Sequence, residues 1–140
     1  MTEELSRAEL LLGGNALERL SRSRVAVFGV GGVGGYAVEA LARCGIGALD
    51  LIDSDCVSRS NINRQLLALQ STVGQRKVDV AAARIHDIRP ETGVRAYPVF
   101  FLPENADHPI VNPSRRKHGI RERGASTLTV CPPSDFSPVQ

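Results

Sequence analysis

Gly29-Val30-Gly31-Gly32-Val33-Gly34 joins two stretches whose apolar residues recur with different periods. Before it, Arg24-Val25-Ala26-Val27-Phe28 is a short apolar run of the length and composition of a strand buried on both faces. After it, Val33, Ala37, Val38, Leu41 and Ala42 fall three and four residues apart, the spacing of a helix. Glycines at 29, 31 and 34 therefore sit at a strand-to-helix turn. Glycine there permits positive φ and close backbone approach, and the helix that follows points unpaired N–H groups out of its first turn. This context restricts the chain to an α/β fold with a doubly wound parallel sheet, and it favours an anion such as a phosphate at the turn.

Ala48-Leu49-Asp50-Leu51-Ile52 reads as a second strand, ended by Asp53, which lies 24 positions after Gly29. A carboxylate about 20 residues beyond the first glycine is placed to accept from ribose hydroxyls, which suits NAD or FAD as well as ATP. The residues beyond it separate these ligands. Asp55, the cluster Ser60-Asn61-Ile62-Asn63-Arg64-Gln65 and Lys77 follow in order. Arg64 and Lys77 are fixed positive charges, and Asn61, Asn63 and Gln65 are neutral groups with directed donors. Displacement at a triphosphate needs such groups to hold charge on the phosphate oxygens, whereas hydride transfer to a nicotinamide does not.

Over residues 5–105 this ordered set resembles the ubiquitin-activating/ThiF/MoeB/HesA superfamily of ATP-dependent adenylating enzymes. These show a Gly-x-Gly-Gly-x-Gly turn, an Asp-x-Asp strand end, a Ser-Asn-x-x-Arg-Gln cluster and a downstream lysine. Three further segments make it similar to the tRNA threonylcarbamoyladenosine dehydratase subfamily: Arg7-Ala8-Glu9-Leu10-Leu11-Leu12-Gly13, Glu39 through Gly47, and Phe101-Leu102-Pro103-Glu104-Asn105.

The resemblance implies a Rossmann-like fold, ATP and Mg2+ as cofactors, and roles for single residues. Gly29, Gly31, Gly32 and Gly34 would admit the nucleotide, and Asp53 would hold its ribose. Asn61, Asn63, Arg64, Gln65 and Lys77 would contact the phosphates, with Arg64 and Lys77 catalytic. Asp55 would sit near the metal. Arg7, also catalytic, would reach the partner subunit's site in a homodimer as an arginine finger. The implied reaction is attack of a substrate carboxylate on the α-phosphate, giving an acyl-adenylate and pyrophosphate. In the dehydratase subfamily that carboxylate belongs to the threonylcarbamoyl group of a tRNA adenosine, which then cyclises with loss of AMP. The C-terminus of a sulfur-carrier protein is the alternative substrate. Dinucleotide binding and a non-catalytic interaction module are the alternatives outside this chemistry.

Leu5 to Leu20 predicts two short helices interrupted at Gly13-Gly14, residues 75–88 predict a helix stopped by Pro90, and residues 94–101 predict a third strand. Pro98 places that strand at an edge. The pattern then changes near Asp107–His108. Residues 108–140 hold five of the eight prolines, and Arg115, Arg116, Lys117, Arg121 and Arg123 outweigh Glu122 and Asp135. The sequence thus divides into a Rossmann-like ATP-binding part, 1–107, and a basic, proline-rich tail, 108–140. The tail has no sustained apolar period and reads as disordered. It has no helical face and little aromatic content to support specific nucleic-acid binding. It also lacks the Asp-Ala-Ile-Asp-like strand end with which similar enzymes supply a second metal carboxylate. The change reads as an out-of-frame or misassembled end. The expectation is an incomplete, three-stranded sheet with an open edge at the first strand, and weak or no activity.

Cys44, Cys56 and Cys131 have no paired spacing, and His86, His108 and His118 form no ligand set, so neither zinc nor a disulfide framework is expected. No apolar run is long enough to span a membrane and no signal peptide is recognisable, so the expected location is the cytoplasm.

Overall fold

The computed structural model describes residues 3–101 and, for the backbone alone, 129–130. A 3-10 turn at Glu3–Leu5 leads into α1 (Ser6–Leu12) and α2 (Gly14–Ser21), followed by β1 (Arg24–Phe28), α3 (Gly32–Arg43), β2 (Ala48–Ile52), α4 (Lys77–Ile88), β3 (Gly93–Tyr97) and β4 (Thr129–Val130). The strands form one parallel sheet in the order β3-β2-β1-β4. Arg24 is level with Ala48, and Ala48 with Gly93, so the carboxyl ends of β1, β2 and β3 finish together at Phe28, Ile52 and Tyr97.

Alternation along the strands divides the core. Val25 and Val27 of β1 and Leu49 and Leu51 of β2 point to one face, where they pack with Val38 and Ala42 of α3 and Val78, Ala81 and Ile85 of α4. The opposite face carries Ala26 and Ile52 with Phe28 and Tyr97, and the Phe28 ring meets Phe101 edge-on. Asp50 is also buried there, and its carboxylate accepts from Arg24 at 2.9 Å. A buried carboxylate needs such a partner, because desolvation alone would expel it.

On the helical side, Glu39 of α3 takes Arg43 from its own helix and Arg84 from α4. The Arg84 hydrogen bond is the largest influence holding the Glu39 carboxyl below the ordinary glutamate value. Burial opposes it, and Arg43 adds to it. The same pairing raises the Arg84 guanidinium.

Two elements differ from the sequence expectations. The third strand ends at Tyr97 rather than continuing to residue 101. Pro98 has no N–H for the ladder, and Val99 N–H turns back to the Tyr97 carbonyl at 2.8 Å. The strand is nonetheless at the sheet edge, as Pro98 implied. The second difference lies beside β1, whose edge is covered at two of its five residues. Thr129 and Val130 pair in parallel with Ala26 and Val27, making a fourth strand within the stretch expected to contain none. Two residues are too few to produce the alternation by which a strand is recognised in sequence, yet they meet the exposed edge that a parallel strand otherwise leaves. The remainder of the tail, the boundary at 107–108, the segment Leu102–Asn105, and His108, His118 and Cys131 lie outside the described residues. The helices follow expectation, including the break at Gly13, where φ is +79°.

Candidate functional site

Two connections meet at the carboxyl ends of β1 and β2. The first is the glycine turn. Gly29 has φ of +82° and donates its N–H to the Ile52 carbonyl at 2.8 Å, tying the turn to the end of β2. Gly34, one turn into α3, faces back onto Gly29, and a Cβ at position 34 would stand 1.8 Å from the Gly29 carbonyl oxygen. No side chain fits between them. Gly31 is the cap of α3 and offers no side-chain acceptor to the helix. The first-turn N–H groups of α3 are therefore aimed at whatever occupies the turn.

The second connection is the crossover from β2 to α4, residues 53–76. It has little regular structure but is densely hydrogen-bonded. Asp53 begins it as a clasp: one carboxylate oxygen accepts from the Val30 N–H in the glycine turn at 2.7 Å, the other from the Asp55 N–H at 2.8 Å. Ser58 and Asn61 then form a capping box around a 3-10 turn at Arg59–Asn61, with buried Asn61 accepting from Ser58 N–H at 3.0 Å. The Asn61 carbonyl accepts from the Arg64 and Gln65 N–H groups. The exposed Arg64 guanidinium is oriented by the Ser60 carbonyl at 2.8 Å and the Asn63 side-chain oxygen at 3.0 Å. This loop leans on the glycine turn. A Cβ on Gly31 would lie 3.5 Å from the Gln65 amide nitrogen, and one on Gly32 would lie 3.9 Å from the Arg64 carbonyl. At the far end Val57 and Gln75 pair through their backbones, and Cys56 bridges Arg76, bringing the chain back beside its start. Lys77, the first residue of α4, is buried with its Nζ 3.0 Å from Asp55 Oδ2.

One edge thus collects Gly29, Gly31, Gly32, Gly34, Asp53, Asp55, Asn61, Asn63, Arg64, Gln65 and Lys77. Arg7 is not part of this group. It lies exposed on α1, which packs on α2 and the preceding 3-10 turn. Three positioning groups went unread in the sequence: the Val30 N–H, the Ser60 carbonyl and Ser58. Only Ser58 carried a sequence signal, the Ser-x-x-Asn spacing of a capping box. The other two are backbone groups, which residue identity does not reveal.

Among the described residues no three His, Cys, Asp or Glu side chains converge on a metal-sized position. A single carboxylate still suits Mg2+, which takes one or two protein carboxylates and fills its remaining positions with phosphate oxygens and water. Asp55, whose side chain is more than half exposed, has the chemistry such a part requires.

These parts define an α/β domain with a parallel sheet, in which a glycine turn and a polar crossover face each other at the carboxyl edge. The chain belongs to the ThiF family, whose model matches residues 5–114. It is 55% identical over 104 residues to a tRNA threonylcarbamoyladenosine dehydratase of Bacillus subtilis (strain 168), an alignment covering 74% of this chain and 41% of that protein. It is 38% identical over 109 residues to a sulfur carrier protein adenylyltransferase of Thermus thermophilus, covering 74% of this chain and 40% of the other. In structure it is similar to the E. coli tRNA N6-threonylcarbamoyladenosine dehydratase in complex with ATP, with a TM-score of 0.75 and 42% identity over 79% of this chain and 46% of that one. The chain spans less than half the length of these relatives.

Proposed function

We propose that this chain carries the nucleotide site of an ATP-dependent adenylating enzyme that activates the threonylcarbamoyl carboxylate of a modified tRNA adenosine. The observation that carries this is the contact between the two connections: Gln65 and Arg64 lie against Gly31 and Gly32, while Asp53 holds both the Val30 N–H of the turn and the N–H of Asp55, the partner of the Lys77 ammonium. In this reading the α3 N–H groups and the Arg64, Lys77, Asn61, Asn63 and Gln65 side chains bind the phosphates. Asp53 has lone pairs left after its two backbone partners, and these accept from the ribose hydroxyls. Bound Mg2+ would supply positive charge across the phosphates, with Asp55 as its protein ligand. The substrate carboxylate forms a bond to the α-phosphorus as the bond to the bridging oxygen breaks. Pyrophosphate then leaves with the electron pair, and Arg64 and Lys77 hold the charge that develops on it.

Binding of a dinucleotide is disfavoured because hydride transfer develops no charge on phosphate oxygens for Arg64 and Lys77 to hold. A sulfur-carrier C-terminus is the second substrate reading, supported by the Thermus relative but at lower identity than the dehydratase. Both substrates react through a carboxylate, so the α-phosphate chemistry is common to them. Arg7 shares one face of α1 with exposed Leu10 and Leu11, spaced three and four residues on. Such a face suits burial against a second subunit, in keeping with a homodimer in which Arg7 serves the neighbouring site. No helix among the described residues is long and apolar enough to cross a membrane, and a cytoplasmic location suits a tRNA substrate.

Pyrophosphate exchange into ATP tests the reading, run with threonylcarbamoyl-modified tRNA, unmodified tRNA and a sulfur-carrier protein, beside a full-length relative. Exchange dependent on the modified tRNA is expected, slower in this chain than in the relative. Exchange only with the carrier protein would select the second substrate. Binding of NAD in preference to ATP would contradict both.

A further inference from the structure

Lys77 and Asp55 form an unequal pair. The lysine side chain is 7% exposed and the aspartate side chain 57%. Lys77 opens α4, where the helix dipole disfavours a cation, and its stem is packed in place. Asp55 has its backbone pinned on both sides, its N–H on Asp53 Oδ1 at 2.8 Å and its carbonyl accepting from Lys77 N–H at 3.0 Å. Its carboxylate can therefore turn into solvent about its own side-chain bonds while the backbone stays still. The ammonium cannot follow.

We propose that Asp55 is an internal competitor for the phosphates: in the nucleotide-free protein its carboxylate occupies the lysine position that a phosphate oxygen takes when nucleotide binds. The inference rests on the reading of Lys77 as a phosphate contact. Its physical basis is the cost of a buried ammonium with no counter-charge. Asp55 meets that cost until a phosphate replaces it, so an incoming phosphate gains only the difference between two anions. The exchange moves a side chain without moving the crossover.

Titration calorimetry with ATP in EDTA isolates the competition from any metal. Asp55→Asn is expected to bind metal-free ATP roughly three- to tenfold more tightly than the parent, the range for losing a partly exposed ion pair. A second neutral variant, Asp55→Ser, should do the same if the amide disturbs folding. Lys77→Met should weaken ATP, and adding Asp55→Asn to it should restore nothing, because the contested position is gone. Asp79→Asn removes the same charge from an exposed first-turn position of α4 and should change affinity by less than about twofold. Neutral variants at Asp55 that bind no more tightly than the parent would overturn the proposal while leaving the phosphate role of Lys77 standing. Equal tightening with and without Lys77 would also overturn it, by reducing the effect to general charge. A Lys77→Met protein with parental ATP affinity would remove both the competition and the phosphate contact.

Discussion

The glycine turn holds its shape because side chains are absent, whereas the crossover holds its shape because side chains are present. In the turn, Gly34 touches the Gly29 carbonyl and nothing larger than hydrogen fits. In the crossover, Asp53 and Asn61 add side-chain acceptors to a set of backbone turns, and Asn63 holds the Arg64 guanidinium. The two are joined at Asp53, which grips the turn through Val30 and the crossover through Asp55. The comparison teaches that a site can have one wall that admits no side chain at its tightest point, Gly34, and another that is built from side chains.

The largest expected effect comes from adding a methyl group to the turn. Gly34→Ala sets a Cβ against backbone that cannot retreat and should cost about 3 kcal/mol or more, or prevent folding. Gly74 of the crossover makes the contrast. Its φ is +89°, but nothing lies within 4 Å of a Cβ there, so Gly74→Ala should cost only about 1–2 kcal/mol of backbone strain. Urea unfolding of both variants measures the difference, and similar losses would break the distinction between the walls.

Next comes the residue that builds the crossover. Asn61→Ala removes the buried side chain that accepts from the Ser58 N–H, at a cost of about 0.5–1.5 kcal/mol. An unchanged urea midpoint would show that the capping box is not what shapes the loop.

Away from both walls, Glu39 provides a smaller and pH-dependent effect. Arg84, and then Arg43, hold its carboxyl below the ordinary glutamate value of 4.5 in the folded protein, against the opposing cost of burial. A depressed folded value means that the contribution is fully present above the unfolded value and is lost as pH falls through the folded one. Glu39→Gln should therefore lose about 1 kcal/mol near neutrality and progressively less as the pH drops below that value. A deficit that stays constant into acid would rule out the ion pair as its source.

Much of this was legible in the sequence because it depends on period and on glycine. The run Arg24–Phe28, the spacing from Val33 to Ala42 and the positions of Gly29, Gly31 and Gly34 fix the first strand, turn and helix with little freedom. The order of Asp53, Asn61, Arg64 and Lys77 brought the site residues together in one chain segment, and the parallel register then placed them at one edge. What stayed hidden depends on groups without a sequence signature. Val30 acts through its N–H, Ser60 through its carbonyl, and Thr129–Val130 is too short to show a pattern. The pairing of Asp55 with Lys77 was also unread, since 22 residues separate them and each alone looks like a ligand for something else.

The smallest effect on stability should have the largest meaning for function. Arg64 is exposed and its guanidinium is oriented by Ser60 and Asn63 without bearing on the core. Arg64→Ala should unfold within about 0.5 kcal/mol of the parent. Calorimetric titration of this variant and the parent with ATP and with AMP tests most directly whether turn and crossover together form a polyphosphate site. The account predicts that the substitution weakens ATP about tenfold more than AMP, as the loss of a charged partner for the outer phosphates requires. Equal losses for the two nucleotides, or no loss for either, would contradict it.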